Sequence, residues 1–398
     1  PPLTTCRALA VASVTLACFG LVHMHDPGDL DVYRAGGQAV LTGRPLYGVD
    51  LHGLGFTYPP FAGVLCTGLA ALPRLLSVVL LTMSSLVALA VVLRYSAPTW
   101  WRTLRTSPGI PATAAIALLA ASEPVRATLR FGQVDILLTA LVLADLLSTR
   151  ARSFRGAGVG IAAAVKLTPG IFVVFLLLRG RYREAGHAVA AFVAVSVAAA
   201  VLCPGASWRY WTQQLPAGSG IGNFASGNNN SISGLLHRSP LGSAQASALW
   251  VVLAAVAVTV GLASAVRLAR AQAPVTALGI VGITGCVVSP VSWDHHWIWC
   301  IPWLIGLATE RQPLTARART GVLLAGAVFF GRDYVPGTWS RHCPPLHFVT
   351  LNAFVGVATV AAAVCMRGRF ASRRRTVRSA RAVNPVGDAR RPSPSQVR

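Results

Sequence analysis

The stretch Gly28-Asp29-Leu30-Asp31-Val32-Tyr33-Arg34 sets two carboxylates, a phenol and a guanidinium within seven residues, just after an apolar run from Ala8 to Val22. A carboxylate held in a partly dry site can act as a general base toward a hydroxyl. The chain has only 12 acidic residues in 398, so two of them one position apart beside a membrane-length run call for a reason other than solvation. Lys166 is a second group of this kind. It is the sole lysine, and it breaks an apolar run as Lys166-Leu167-Thr168-Pro169. A lysine at a helix end can snorkel to the interface. A cation at membrane depth otherwise marks function, with a lipid phosphate as its natural partner. The helix ends at such a break also offer backbone N–H groups to an anion.

A third group runs from Ser289 to Trp297 and packs Trp293, Asp294, His295, His296 and Trp297 into the mouth of an apolar run. Paired histidines suggest a metal, but adjacent side chains diverge and a third ligand at helical spacing is missing from the sequence, so no metal is expected. The imidazoles instead suit a phosphate or a sugar hydroxyl, and the indoles a pyranose face or an interfacial belt. Trp208, Tyr210, Trp211, Gln213 and Gln214 precede Asn228-Asn229-Asn230-Ser231 and Arg238, a set of amides and aromatics that fits carbohydrate and equally fits ordinary turn chemistry. Gln133 and Asp135 open the run 134–147 from the same side. Glycine spacing offers no dinucleotide or phosphate-loop fingerprint. Cys203 and Cys343 could meet outside the membrane, although nothing requires it.

The elements that must position these groups are membrane helices. Hydrophobic residues make up 54% and charged ones 12%, with a mean hydropathy of +0.58, far from a soluble domain. Apolar runs recur at 75–93, 110–121, 134–147, 185–202, 248–266, 274–288, 297–307, 321–330 and 349–366. The expectation is an all-α polytopic membrane protein of roughly ten to thirteen spanning or half-spanning helices over 1–366. The first run leads into further membrane segments and reads as an anchor rather than a cleaved signal. Residues 367–398, rich in Arg, Pro and Ser, read as a basic, disordered cytoplasmic tail that can lie on anionic lipid.

The net charge of +23 does not mark a nucleic-acid binder, because its distribution follows the membrane. Arginines cluster in short links around 94–105, 150–155, 179–183, 267–270 and 311–319, and again in the tail. Placing these in the cytoplasm, with Arg7, accounts for about 25 of the 35 cations under the positive-inside rule. Loops 23–57, 122–133, 203–243, 289–296 and 331–348 then fall outside. With them go all the histidines except His187, and Asp26, Asp29, Asp31, Asp50, Glu123, Asp294 and Asp333. Arginines flank both ends of Gly156–Leu178, so this segment must enter and leave on one side, broken at Lys166. The run from Tyr58 to Leu93 carries Pro59-Pro60 and Pro73-Arg74 and reads as a similar pair of short arms. Broken helices at membrane depth line cavities, so a cavity open to the outer face is expected.

Taken together, Asp29-Leu30-x-Val32-Tyr33, Leu46-Tyr47, Phe56-Thr57-Tyr58-Pro59-Pro60-Phe61, Gly132-Gln133-Val134-Asp135, Lys166-Leu167-Thr168-Pro169, Asn229-x-Ser231 and the Ser289–Trp297 block form a series. It resembles the actinobacterial polyprenol-phosphate-mannose-dependent α-1,2-mannosyltransferases of the GT-C superfamily, from about residue 23 to 305. The pattern departs at Asn230, where that family is expected to carry glutamine.

The resemblance implies a multi-pass enzyme of the inner membrane whose active site faces the periplasm. Its donor would be β-mannosyl-phospho-polyprenol and its acceptor a mannosylated lipid or lipoglycan. Asp29 matches the reacting carboxylate, while Asp31 falls at a variable position. Lys166, His295 and His296, with Arg34, would meet the donor phosphate. Tyr33, Tyr58, Gln133, Asp135, Asn229, Ser231, Arg238, Trp293 and Asp294, with Asp31 behind them, would line the substrates. A β-linked donor giving an α product is one inverting displacement, and a monophosphate leaving group demands neither a metal nor another cofactor. Three other readings remain open at this point: a related transferase using polyprenyl-phospho-arabinose or -glucose, a lipid-linked sugar transporter, and a structural membrane partner, which would not need the acidic and histidine bias of the outer loops.

Overall fold

A computed structural model describes residues 28–48, 50–51, 54–106, 119, 121–148, 153–217, 222–310, 315–331 and 352–359. The run from Ala8 to Val22, residues 110–118, most of 331–366 and the tail from 367 lie outside the described residues, as do Asp26, Asp333 and Cys343. Cys203 is a free thiol among the described residues.

In chain order the elements are α1 (Gly28–Leu41), a two-stranded antiparallel hairpin of β1 (Asp50–Leu51) and β2 (Leu54–Gly55), α2 (Pro60–Ala70), α3 (Arg74–Ser96) and α4 (Pro98–Thr106). Next come α5 (Glu123–Phe131), α6 (Asp135–Leu147), α7 (Ala157–Val165), a 3-10 turn (Thr168–Gly170), α8 (Ile171–Leu178) and α9 (Tyr182–Leu202). The last part holds α10 (Pro204–Arg209) with a π-helical turn (Tyr210–Gln214), α11 (Ile232–His237), α12 (Ser243–Arg270), α13 (Pro274–Val288), a 3-10 segment (Asp294–Trp299), α14 (Cys300–Thr309) and α15 (Ala316–Ala325).

The protein is helical, with α3, α9 and α12, of 23, 21 and 28 residues, long and apolar enough to cross a membrane. At 1.5 Å per residue each exceeds roughly 30 Å of hydrocarbon. Their outward faces are apolar. On α9, Val189, Val193, Val197 and Val201 repeat every four residues and are all exposed, a stripe that only lipid solvates well. By contrast, α13 is buried on every side between α12 and α14, as its uniformly apolar sequence requires. Its first turn lacks a side-chain cap of its own, and Glu310 supplies one by accepting from the Val275 and Thr276 N–H groups at 2.9 Å each.

Between the long helices lie short, broken ones. The chain does break at Lys166, which takes an extended conformation between α7 and the 3-10 turn. α5 and α6 meet at 118° across Gly132-Gln133-Val134. Three expectations are corrected here. Residues 122–133, expected as a loop, contain the nine-residue α5, whose buried Val125, Leu129 and Thr128 form one face. The 203–243 segment holds α10, the π turn and α11 rather than turns alone. Of the two arms expected over Tyr58–Leu93 only α2 is short, because the Pro73 break precedes rather than divides a full-length α3.

The packing of α1 fixes where its acids point. Leu30, Tyr33 and Gly37 recur at helical spacing and face inward. A Cβ at Gly37 would lie 2.2 Å from the Cys66 carbonyl oxygen, so only glycine lets α1 come this close to α2. On the other side Gly132 adopts φ +69, and a Cβ there would sit 3.0 Å from that of Leu30. Glycine at this position satisfies both the left-handed turn that ends α5 and the close approach of α1.

Candidate active site

Five separate pieces of chain converge where helices start, end or break. They are the first turn of α1, the residues between β2 and α2, the α5–α6 bend, the α7 break and the 3-10 segment after α13. A helix terminus is where backbone and side-chain polar groups are left to be satisfied by something other than the helix.

Lys166 and Asp135 form the centre. The Lys166 ammonium donates to both Asp135 carboxylate oxygens, at 2.9 and 3.0 Å, and lies 5.7 Å from the centroid of the Tyr58 ring. Both ionic groups are buried, at 8% and 7% exposure, so each needs the other to remain charged. Gln133 lies beside them. Its Oε1 accepts from Tyr33 at 2.6 Å and from Tyr58 at 3.2 Å, and Asp29 lies one helical turn before Tyr33 on α1. The two phenols are 3.0 Å apart. Asp29 itself is only partly buried. Burial raises its pKa above the ordinary carboxylate value, opposed by the neighbouring Gln133 amide and the positive charge of Lys166.

The imidazoles close another side. His296 Nδ1 accepts the Trp293 N–H at 3.2 Å, which leaves Nε2 as the ring donor. His295 is buried at 4% exposure, and neither ring nitrogen has a hydrogen-bond partner among the described residues. The two rings pack edge to face with centroids 4.5 Å apart, and Phe131 of α5 backs His295. Burial, then the nearby Lys166 charge, holds both well below the usual imidazole range, so they are neutral donors at neutral pH. One ligand atom each from Asp135, His295 and His296 falls within 4.8 Å of the others. The third ligand that sequence spacing lacked thus comes from another helix. Asp135 already has an ammonium on both oxygens, however, so a divalent ion would have to share that carboxylate with the Lys166 charge.

The remaining sequence candidates are placed differently. Asp31 lies on the opposite face of α1 and forms a two-point ion pair with Arg74 at 2.8 and 2.9 Å. Arg34, expected among the phosphate contacts, turns away instead. Its Nη1 lies 2.6 Å from the Leu69 and Leu72 carbonyls and from Ser77 Oγ, tying α1 to the end of α2 and the start of α3. Asn229, expected at the substrates, is fully buried with its amide committed to the protein. It donates to the Phe224 and Pro290 carbonyls and accepts from Ser231 Oγ and the Ser292 N–H, all within 3.1 Å. Ser231 Oγ also accepts from the Gly234 N–H as the cap of α11. Arg238 donates to the Ser226 and Asn229 carbonyls and to Asn352. Asp294 accepts from Asn230 Nδ2 at 2.8 Å, and Trp293 lies against Gly222. These residues hold the 289–296 turn against the preceding loop and so set the histidines.

The pairing of Lys166 with Asp135 was not read from sequence, although two lone charges in neighbouring apolar runs are a signal for it. Gln133 is a sequence candidate beside Asp135, but nothing in the sequence marks it as the hub that joins Tyr33 and Tyr58.

A family model for glycosyltransferase family 87 matches residues 56–290. Two relatives are both named polyprenol-phosphate-mannose-dependent α-(1-2)-phosphatidylinositol mannoside mannosyltransferase. One, from Mycolicibacterium smegmatis, is 35% identical over 76% of this chain and 74% of its own. The other, from Mycobacterium tuberculosis, is 36% identical over 75% of this chain and 74% of its own. A third, also from Mycobacterium tuberculosis, is named as the corresponding pentamannoside mannosyltransferase and is 34% identical over 71% of this chain and 67% of its own. No solved structure matches the chain. With that match covering more than half its length, and around a cluster of one partly exposed carboxylate, a buried cation and two neutral imidazoles, the chain belongs to glycosyltransferase family 87 and is a membrane glycosyltransferase.

Proposed function

We propose that the chain transfers mannose from polyprenyl-phospho-mannose to a phosphatidylinositol mannoside or related mannosylated lipid, with inversion, forming an α-1,2 bond. The shared naming of its relatives carries the donor, linkage and acceptor class. The geometry that fits is Asp29 beside the Lys166 cluster. Asp29 takes the proton of the acceptor 2-hydroxyl as that oxygen attacks C1 of the donor sugar. The bond from C1 to the phosphate oxygen breaks, and polyprenyl phosphate leaves with the electron pair. Lys166, the His296 Nε2–H and His295 stabilise the phosphate as its charge grows. Lys166 provides the cation from within the chain, so the reaction proceeds without a metal or other cofactor.

The reading includes a GT-C-type fold in the cell membrane with its cavity toward the periplasm, opposite the arginine clusters. The polyprenyl chain lies along the short helices α2, α7 and α8, and Tyr58 shapes its wall. Membranes containing the protein, given radiolabelled polyprenyl-phospho-mannose, -glucose and -arabinose in turn, are expected to label a mannosylated lipid from mannose alone. Labelling from another sugar would reassign the donor. Movement of the donor across the bilayer without transfer would make the protein a transporter.

A further inference from the structure

We propose that Gln133 is the positioning residue of the base, and that the Tyr33 and Tyr58 hydroxyls determine which end of its amide faces Asp29. The proposal rests on the assignment of Asp29 as the base.

Gln133 is buried, at 2% exposure, in the three-residue bend between α5 and α6. A buried primary amide has an accepting end and a donating end, and turning it the wrong way leaves both badly paired. Here the ends are distinguishable. Two phenols approach one atom, Oε1, at 2.6 and 3.2 Å, and phenols at neutral pH carry protons to donate. Burial raises the pKa of Tyr33 further, so it stays a donor. The other end of the amide, Nε2, is then the atom available to Asp29. Reversal would set the carbonyl oxygen against an acceptor-only carboxylate and would require both phenols to accept rather than donate.

An N–H held on a carboxylate favours its ionised form. Gln133 thereby offsets the burial that pushes Asp29 upward. A carboxylate offers about four lone-pair positions, so one amide leaves room for an acceptor hydroxyl. The other charges around Asp29 have different duties. Lys166 also favours the carboxylate and Asp135 on α6 opposes it. On its own helix, Asp31 is paired with Arg74 and Arg34 with carbonyls. His295 and His296 are neutral, and Tyr58 remains a phenol over Lys166. A residue that only filled space at the bend would affect stability and leave the titration of the base untouched.

The test is the pH dependence of mannosyl transfer by the full chain in membranes, for the wild type, Gln133→Leu, Gln133→Glu, the Tyr33→Phe/Tyr58→Phe pair and Asp29→Asn. Expected for Gln133→Leu is an acid limb of kcat displaced upward by about one pH unit, with rate recovered at higher pH and donor KM within about threefold. Gln133→Glu, close in shape and so the safeguard against misfolding, is expected to move the limb further because it adds a second carboxylate. The tyrosine pair is expected to move it less, since the amide is kept but freed to turn. An unmoved limb in Gln133→Leu or Gln133→Glu, or a loss of rate equal at every pH, overturns the proposal. Activity retained by Asp29→Asn would overturn the base assignment instead, so the two failures are separable.

Discussion

At the scale of single residues, Asp29 and Asp31 differ by two positions and by roughly 200° around a helix. Asp29 shares a face with Tyr33, four residues on, and meets Gln133. Asp31 meets Arg74 at the surface, with side-chain exposures of 36% and 53%, a pair worth under about 1 kcal/mol. Asp29→Asn is therefore expected to lower transfer by at least about 10²-fold with unchanged protein in the membrane. Asp31→Asn should stay within about threefold of wild type. Equal losses in the radiolabel assay would remove the distinction. Lys166→Met leaves the buried Asp135 carboxylate without its ammonium, a change of about 3–5 kcal/mol, and is expected to lower the melting temperature sharply. Adding Asp135→Leu should restore the melting temperature but not donor use; wild-type transfer by that double variant would sever Lys166 from the phosphate. Both charges stood out in the sequence as isolated polar groups in apolar runs. Their pairing did not, because 31 residues and two helices, α6 and α7, separate them, and spacing carries no information across such a distance.

At the scale of elements, proline and lysine made the breaks legible. Lys166-Leu167-Thr168-Pro169 interrupts a helix just where the sequence says it must. α5 was not legible in the same way, since Glu123, Arg126 and Arg130 look like loop composition until α5 is seen packed against the 3-10 segment that carries the histidines. The least legible element is the tie between residues 222–238 and 289–296. Its asparagines and serines are turn residues by composition, and only their partners reveal that Asn229 joins segments 61 and 63 residues away. Asn229→Ala strands several buried donors and acceptors, each costing about 1–3 kcal/mol. The expected result is a lower melting temperature together with a raised donor KM, because the 3-10 segment loses its anchor. An unchanged melting curve would show that the turn is held by something else.

At the scale of the whole molecule, an unusually cationic protein keeps its one lysine for the interior. About 25 of its 34 arginines fall in the links and termini that the charge rule would group on one side. With Lys166 seated on Asp135, transfer is expected to continue at an undiminished rate after chelation with EDTA. A loss in EDTA that manganese or zinc restores would give Asp135, His295 and His296 to a metal. The five converging pieces also have an order along the chain, and the histidines come last. A nascent chain that has reached α12 already holds Asp29, Tyr58, Gln133, Asp135 and Lys166, together with the loop bearing Asn229, but has neither imidazole nor the turn that Asn229 clasps. A chain of that length carries Lys166 alone of the three groups assigned to the leaving phosphate, and completing the set depends on the last of the five pieces.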